Sequence, residues 1–424
     1  MQPHADSYYA ASAHPAPEYP ALHDNLEVDV CIVGAGITGC AAALNLAERG
    51  YSVAMLDSRR IGWGASGRSG GQMIFGYACE QATLTRLVGD KVSRQLWDIS
   101  TEALQQMRQR IKQHNIQCDL ANGHLHAAVK PRHMKELESW ADSLRRDYGY
   151  DSLQMWSREQ VQEQMSSNAY LGGLYDAASG HVHPLNYTLG LAGAAAKAGA
   201  RFFEYTPATR IEQGEHPVVH TPHGLVRCRH LLLCGNAYLE DIAPDIERKI
   251  MPVGTYITAT EPLGEQRAKS LIANNMAVAD INFVLDYFRL SADHRLLFGG
   301  RVSYSGLDPV NLAASMGKRL RHVFPQLTEV KQQYTWGGYV GITMNRAPHF
   351  GRLNGNVYFA QGFSGHGIAL TGMAGSLMAD AIAGSAERFD LFSRIPHRDF
   401  PGGRLLRTPA LVLAMAWYRL RDLL

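Results

Sequence analysis

At 424 residues, 46% hydrophobic and 19% charged, the chain has the composition of a globular enzyme and the length for two domains, or for one with a large insertion. Forty-one Lys and Arg against 39 Asp and Glu leave a formal charge of +2 with no long basic run, which excludes the electrostatic footprint of a nucleic-acid binder. The six cysteines show no Cys-x-x-Cys spacing, so reduced thiols in a cytoplasmic protein are expected and no metal site is indicated.

The first 27 residues lack the basic start and apolar stretch of a secretion signal, and residues 7–26, rich in Pro, Ala and Tyr, read as an extended surface arm without chemistry. Residues 28–33 (Val-Asp-Val-Cys-Ile-Val) predict a buried strand, and Gly34 begins a turn into a helix over 38–49 that Gly50 closes. A second strand at 52–56 ends on Asp57, completing a βαβ unit. Residues 80–165 are more helical and polar, with spaced apolar positions over charged faces at 91–111 and 132–146, and read as an inserted region. A helix at 184–199 and strands at 201–205, 218–221 and 230–234 resume the alternation.

From Met251 to about Arg301 the pattern is β-rich, including 255–260 and 295–300, and antiparallel sheet is expected. A short strand at 357–360 precedes a Gly-rich turn at 362–367 and a helix at 368–382. The apolar stretch 409–417 falls short of the ~20 residues that span a bilayer and is followed by Arg419, Arg421 and Asp422. A docked terminal helix is favoured there over one lying on a membrane surface.

Gly34-Ala35-Gly36-Ile37-Thr38-Gly39 is a Gly-x-Gly-x-x-Gly turn between strand and helix, the context in which it binds a pyrophosphate. Gly34 permits the turn, Gly36 removes a side chain where phosphate must approach, and Gly39 lets the helix pack on the strand. The helix N-terminus adds free N–H groups and a positive dipole. Asp57 ends the second strand, where a carboxylate can accept from adenosine ribose hydroxyls. The turn alone does not decide between FAD and NAD.

Three further features favour FAD. Residues 62–72 (Gly-Trp-Gly-Ala-Ser-Gly-Arg-Ser-Gly-Gly-Gln) can wrap an extended pyrophosphate, with Arg68 as counter-charge. The strand at 230–234 ends in Gly235-Asn236-Ala237, as a βα edge of a dinucleotide site does. The loop Gly362-Phe363-Ser364-Gly365-His366-Gly367 opens a second helix whose dipole can stabilise negative charge on a reduced flavin ring.

Together these segments resemble the D-amino-acid-oxidase-like FAD oxidoreductases, over nearly the whole chain. Within that family the likeness runs to the gamma-glutamylputrescine oxidoreductases, on Ser7-Tyr8-Tyr9-Ala10-Ala11, residues 62–72, Asp286-Tyr287-Phe288-Arg289, Gly299-Gly300-Arg301 and residues 362–367. The resemblance implies an α/β fold: a Rossmann-like FAD-binding domain (27–80, 180–250, 335–390) interleaved with an α+β substrate domain built on an antiparallel sheet (81–179, 251–334). Residues 1–26 form an arm and 391–424 a tail with a helix. FAD contacts are expected from Gly34, Gly36, Ile37, Thr38 and Gly39; Asp57 and Ser58; Ser66, Gly67, Arg68, Gly70, Gly71 and Gln72; Ala208, Gly235 and Asn236; Gly338; and Gly362, Ser364, Gly365, His366, Gly367 and Ile368.

One departure is Asp57, where relatives often carry Glu. Some relatives attach flavin through Cys or His; with no Cys in 62–72 or 345–367, noncovalent FAD is expected. The implied chemistry is hydride transfer from a neutral amine to flavin N5, with O₂ or an electron carrier as acceptor. For gamma-glutamylputrescine or a related gamma-glutamylated polyamine the products are an aldehyde, ammonia and, with O₂, peroxide. An amino-acid or secondary-amine dehydrogenase using a quinone or carrier is the alternative, a non-catalytic flavin binder the second. Three residues are candidates for substrate positioning. His366 either meets flavin and substrate or bonds its own loop, and Tyr287 and Arg289 reach the substrate, Arg289 as a carboxylate partner or as a surface strand residue. Trp336, Tyr339 and Arg346 form a further wall or simply pack.

Overall fold

The computed structural model describes residues 3–282, 284–303 and 311–401. In chain order its first elements are α1 (Tyr8–Ala11), β1 (Leu26–Val33), α2 (Ile37–Glu48), β2 (Val53–Leu56), β3 (Gln72–Met73), α3 (Gln81–Val88) and α4 (Asp90–Gln113). There follow β4 (Ala121–Ala128), α5 (Pro131–Tyr148), β5 (Leu153–Ser157), α6 (Arg158–Gln164), β6 (Gly172–His181), α7 (Pro184–Lys197), β7 (Arg201–Phe203), β8 (Arg210–Glu212), β9 (Val218–His220) and β10 (Leu225–Leu233). The remainder is α8 (Pro244–Glu247), β11 (Met251–Thr260), α9 (Glu265–Leu271), β12 (Ala277–Asp280), β13 (Tyr287–Leu290), β14 (Leu296–Ser303), α10 (Leu312–Val323), β15 (Gln332–Ile342), β16 (His349–Arg352), β17 (Val357–Gln361), α11 (Ile368–Ile382) and α12 (Glu387–Ser393).

Two sheets organise these elements. The first runs β16-β17-β10-β1-β2-β7, with β9 and β8 extending from β10. Its central strands β17, β10, β1, β2 and β7 are parallel, and β1 and β2 are almost wholly buried, as a sheet covered on both faces requires. The helices α2, α4, α7 and α11 supply one covering layer, through residues such as Ala41, Leu44, Leu104, Met107, Leu191 and Met378. The chain leaves β1 toward β2 on one side and returns through β10 on the other. The carboxyl ends of β1 and β10 therefore flank the crevice where a doubly wound sheet takes its ligand.

The second sheet runs β15-β11-β14-β13-β12-β4-β6-β3, with β5 on β6, and is antiparallel except for the β12/β4 pair. Residues of α6, α9 and α10, with Phe288, Phe298 and Phe324, pack one face of it. Sheet membership moves the expected boundaries at three places. Gln72 and Met73 pair with β6, residues 335–342 belong to β15 of this sheet, and α4, expected in the second unit, packs in the helical layer of the first.

The opening arm also departs from expectation, because it is not merely laid on the surface. Ser7 caps α1, and Tyr8 and Tyr9 are buried, Tyr9 fully, against Trp336 and His183. Aromatic content outweighed the turn-forming residues around it, since burying two tyrosine rings removes a large apolar area from water. The apolar stretch 409–417 lies outside the described residues. Among the described residues no single helix is long and apolar enough to cross a membrane.

Candidate functional site

The turn after β1 is built around space that only glycine leaves. Gly34 has φ +106°, and a Cβ there would sit 2.7 Å from the Gly235 nitrogen at the end of β10. At Gly39 a Cβ would lie 2.1 Å from the Gly34 carbonyl oxygen, so α2 touches the turn backbone to backbone. The first amides of a helix have no intrahelical acceptor. The Ile37 amide donates to Ser66 Oγ at 3.0 Å, and among the described residues the Thr38 and Gly39 amides meet no acceptor.

Asp57 stands beside this turn. Its two carboxylate oxygens accept from the Ala35 amide at 2.7 Å and the Arg59 amide at 2.8 Å, so the carboxylate first fixes the turn. Each oxygen keeps a further lone pair for a hydroxyl. Burial pushes the carboxyl up to about 6, with the two amide bonds pulling it back. Ser58 next to it is exposed, and Ala208 packs partly buried against the opposite face of the first sheet.

The 62–72 loop passes from the first sheet to the second. Gly67 would carry a Cβ 2.2 Å from the Gly62 oxygen, and Gly71, at φ +76°, one 2.2 Å from the Val182 oxygen. Arg68 lies over the Trp63 ring at 3.9 Å and donates to the Trp63 and Gly337 carbonyls. Its stem crosses Gly338, where a Cβ would stand 3.2 Å away, and Trp336 Nε1 donates to its carbonyl at 2.9 Å. Among the described residues no carboxylate lies within ion-pair distance of Arg68, and Ser69 Oγ is buried with no partner. A half-buried guanidinium without a counter-charge and an orphaned hydroxyl suit an anionic, hydrogen-bonding ligand.

The C-terminal loop meets the same place from the other side. Asn236 (φ +48°), just after β10, accepts from the Gly362 amide at 2.9 Å through Oδ1. Gly362 and Gly365 take φ +73° and +95°, and Ser364 takes φ +53° with its hydroxyl donating to the Gly362 carbonyl. Gly367 caps α11, whose first residue, Ile368, is buried. His366 Nε2 lies 3.2 Å from the Phe75 carbonyl, so it bonds the backbone that follows the 62–72 loop rather than its own. Burial lowers it to about 4, and it is neutral at pH 7.

Arg289 is neither a surface residue nor a free carboxylate partner. It is buried and donates to the carbonyls of Gly70, Leu290 and Val182 and to Tyr9 Oη, anchoring the Gly-rich loop to the second sheet. Tyr287, on the same strand face, lies against Gly70 and Gly299, where added Cβ atoms would sit 2.7 and 2.1 Å from its ring. Trp336 and Tyr339, three apart on β15, project from opposite faces and share no wall; Trp336 is buried, Tyr339 exposed. Arg346 holds φ +60° in the turn before β16. Sequence reading missed Tyr9, His183, His124, His126 and His181. The spacing of His124 and His126 was the available signal, since residues two apart on a strand share a face.

Three Gly-rich segments, one switch-point crevice and a carboxylate at the second strand thus converge, and the cradle fits a dinucleotide carrying a flat ring. The chain belongs to the DAO family of FAD-dependent oxidoreductases, whose pattern matches residues 29–381, and FAD is its cofactor. It is 41% identical over 423 residues to the gamma-glutamylputrescine oxidoreductase of Escherichia coli K12, covering 100% of this chain and 99% of that one. It is 40% identical over 427 residues to a probable oxidoreductase, OrdL, of Haemophilus influenzae, covering 99% and 98%. Among solved structures, glycine oxidase from Bacillus cereus superposes with a TM-score of 0.73 at 22% identity, over 88% of this chain and 99% of that one, and shares the fold.

Proposed function

We propose that the chain oxidises a primary amine at the carbon that bears it, with gamma-glutamylputrescine or a related gamma-glutamylated polyamine as substrate and O₂ as acceptor. The balanced reaction is R-CH₂-NH₂ + O₂ + H₂O → R-CHO + NH₃ + H₂O₂. The observation that carries this reading is the 41% identity, end to end, with a protein named for gamma-glutamylputrescine.

FAD held noncovalently supplies a two-electron acceptor for the hydride leaving the amine-bearing carbon. On this reading Gly34, Gly36, Ile37, Thr38 and Gly39 hold the pyrophosphate and Asp57 the ribose. Arg68 balances the phosphate charge, and residues 66–72 with 362–368 frame the ring. Arg289 and Trp336 keep the loop in place. The chain needs no strong base, because a neutral amine can lose hydride while its own lone pair forms the carbon–nitrogen double bond. A neutral His366 agrees with that. The six free thiols, five of them buried, support a cytoplasmic setting.

The test is product stoichiometry in air. Purified protein with gamma-glutamylputrescine is expected to release ammonia, peroxide and aldehyde in equal amounts. Ammonia and aldehyde formed without peroxide, and only when a quinone or dye is added, would make the chain a dehydrogenase. No product from any amine would end the reading.

A further inference from the structure

The second sheet carries four buried ring nitrogens that the fold leaves without partners: both of His124, Nε2 of His126 and Nδ1 of His181. His124 is fully buried and His126 is 8% exposed, with their rings 4.5 Å apart. An unpaired buried polar group costs on the order of 1–3 kcal/mol, so a cluster of them in one place calls for a ligand. Strand register shows where that ligand lies. His126 pairs with Ala279 and Ala279 with Tyr287; one row along, His124 pairs with Ala277.

Paired residues share a sheet face, so Ala277 and Ala279 form a low floor between the histidines on β4 and Tyr287 with Arg289 on β13. Two strand spacings make that floor about 10 Å wide. Tyr287 touches Gly70 of the cofactor loop, and Gln72 of the same loop donates to the Val278 carbonyl of β12 at 3.1 Å. Phe75, whose carbonyl meets His366, sets its ring edge-to-face against His126. The two histidines therefore lie on the sheet face that abuts the cofactor loop and Phe75.

We propose that His126, positioned by His124 behind it, binds the uncharged amine end of the substrate. The inference rests on the amine-oxidising reading above. A neutral imidazole offers one N–H and one bare nitrogen, which matches an amine with N–H groups and a lone pair; an ammonium has three donors and no acceptor. Other titratable groups facing the pair are already engaged or uncharged. Asp176, opposite His124, accepts from Tyr150 Oη and from the Ala178 and Ser179 amides. Arg289 is spent on carbonyls and Tyr9, and His181 Nε2 meets the Asn275 carbonyl. Burial together with His366 keeps His126 neutral. Because the Asp176 carboxylate is held toward Tyr150 and the amides of its own strand, an ammonium at His126 would lack a close counter-charge, which is unfavourable.

The experiment uses the FAD-loaded enzyme and two variants, His126→Phe and His126→Asn. It measures FAD per chain, Tm, and the rate of anaerobic flavin bleaching against concentration for gamma-glutamylputrescine, free polyamines and amino acids. His126→Phe is expected to keep its FAD and to melt no lower than wild type, since an apolar ring replaces an unsatisfied one. The amine concentration for half-maximal bleaching is expected to rise roughly tenfold or more, with His126→Asn recovering part of that loss. Wild-type bleaching parameters in His126→Phe, or a lower Tm, would overturn the inference while leaving the amine-oxidising reading intact. Failure of every amine to bleach the wild type would instead overturn that reading, and this inference with it.

Discussion

The nucleotide end of the first sheet and the inner face of the second solve opposite problems. At the first, backbone does the binding: glycines at 34, 36 and 39 clear space, Ser66 caps the Ile37 amide, and Asp57 pins the turn through two amides. Apart from the approach of Gly34 to Gly235, that geometry lies within one contiguous βαβ stretch, residues 34–66. At the second, side chains from β4, β12 and β13 meet through long-range pairing, and the His124 and His126 rings keep unpartnered nitrogens. The contrast separates a region specified by local chain geometry from one specified by sheet register and left unsatisfied for a ligand.

The largest effect should come from breaking the backbone contact. Gly39→Val places a Cβ 2.1 Å from the Gly34 oxygen, and we expect loss of bound flavin with destabilisation of more than about 3 kcal/mol, read from flavin absorbance per chain and urea melts. Arg289 joins the two regions, so Arg289→Met should cost about 3 kcal/mol by leaving the Gly70 and Val182 carbonyls and Tyr9 Oη unpaired. Arg289→Lys should not restore it, because an ammonium cannot reproduce the planar fork.

Acid should act on the buried histidines in and around both regions. Burial lowers His126, His181 and His183 to about 3 and His366 to about 4, against 6.5 for the free side chain. The folded chain thus binds fewer protons than the unfolded chain between about pH 6.5 and 4. Their contribution is fully present above 6.5 and is lost as pH falls, by about 1.4 kcal/mol per unit for each histidine once the unfolded chain is protonated. Asp57, raised to about 6, and Asp280, raised to about 7, oppose this by favouring the folded state as pH falls through those values. Tm measured from pH 7 to 4 should therefore fall overall; a flat profile would mean that the histidines are not shut away from water. The smallest effect should be at Gly193, inside α7 with open space around its Cβ position, where Gly193→Ala should stabilise by about 0.5–1 kcal/mol in the same melts.

Legibility in the sequence follows the same division. The strand–turn–helix at 28–49, the Gly-rich loops at 62–72 and 362–367 and the helix at Ile368–Ile382 are local, and each is written in contiguous residues whose spacing has a steric reason. The placement of β15 and of Gln72-Met73 in the second sheet is not, because both are decided by which distant strand they pair with. Arg289 reads as a strand residue of either face until its three distant acceptors are assembled from β6–α7, α1 and the 62–72 loop. Tyr9 lay in a Pro- and Ala-rich stretch whose composition points to an exposed arm, and only its packing against Trp336 and His183 shows otherwise.

Anaerobic mixing of the yellow holoenzyme with gamma-glutamylputrescine asks whether this FAD protein takes electrons from a gamma-glutamylated amine. Bleaching of the flavin absorbance at micromolar to millimolar amine, with free amino acids and D-amino acids inert, is the predicted result. Bleaching by an amino acid and not by the gamma-glutamyl amine would contradict it.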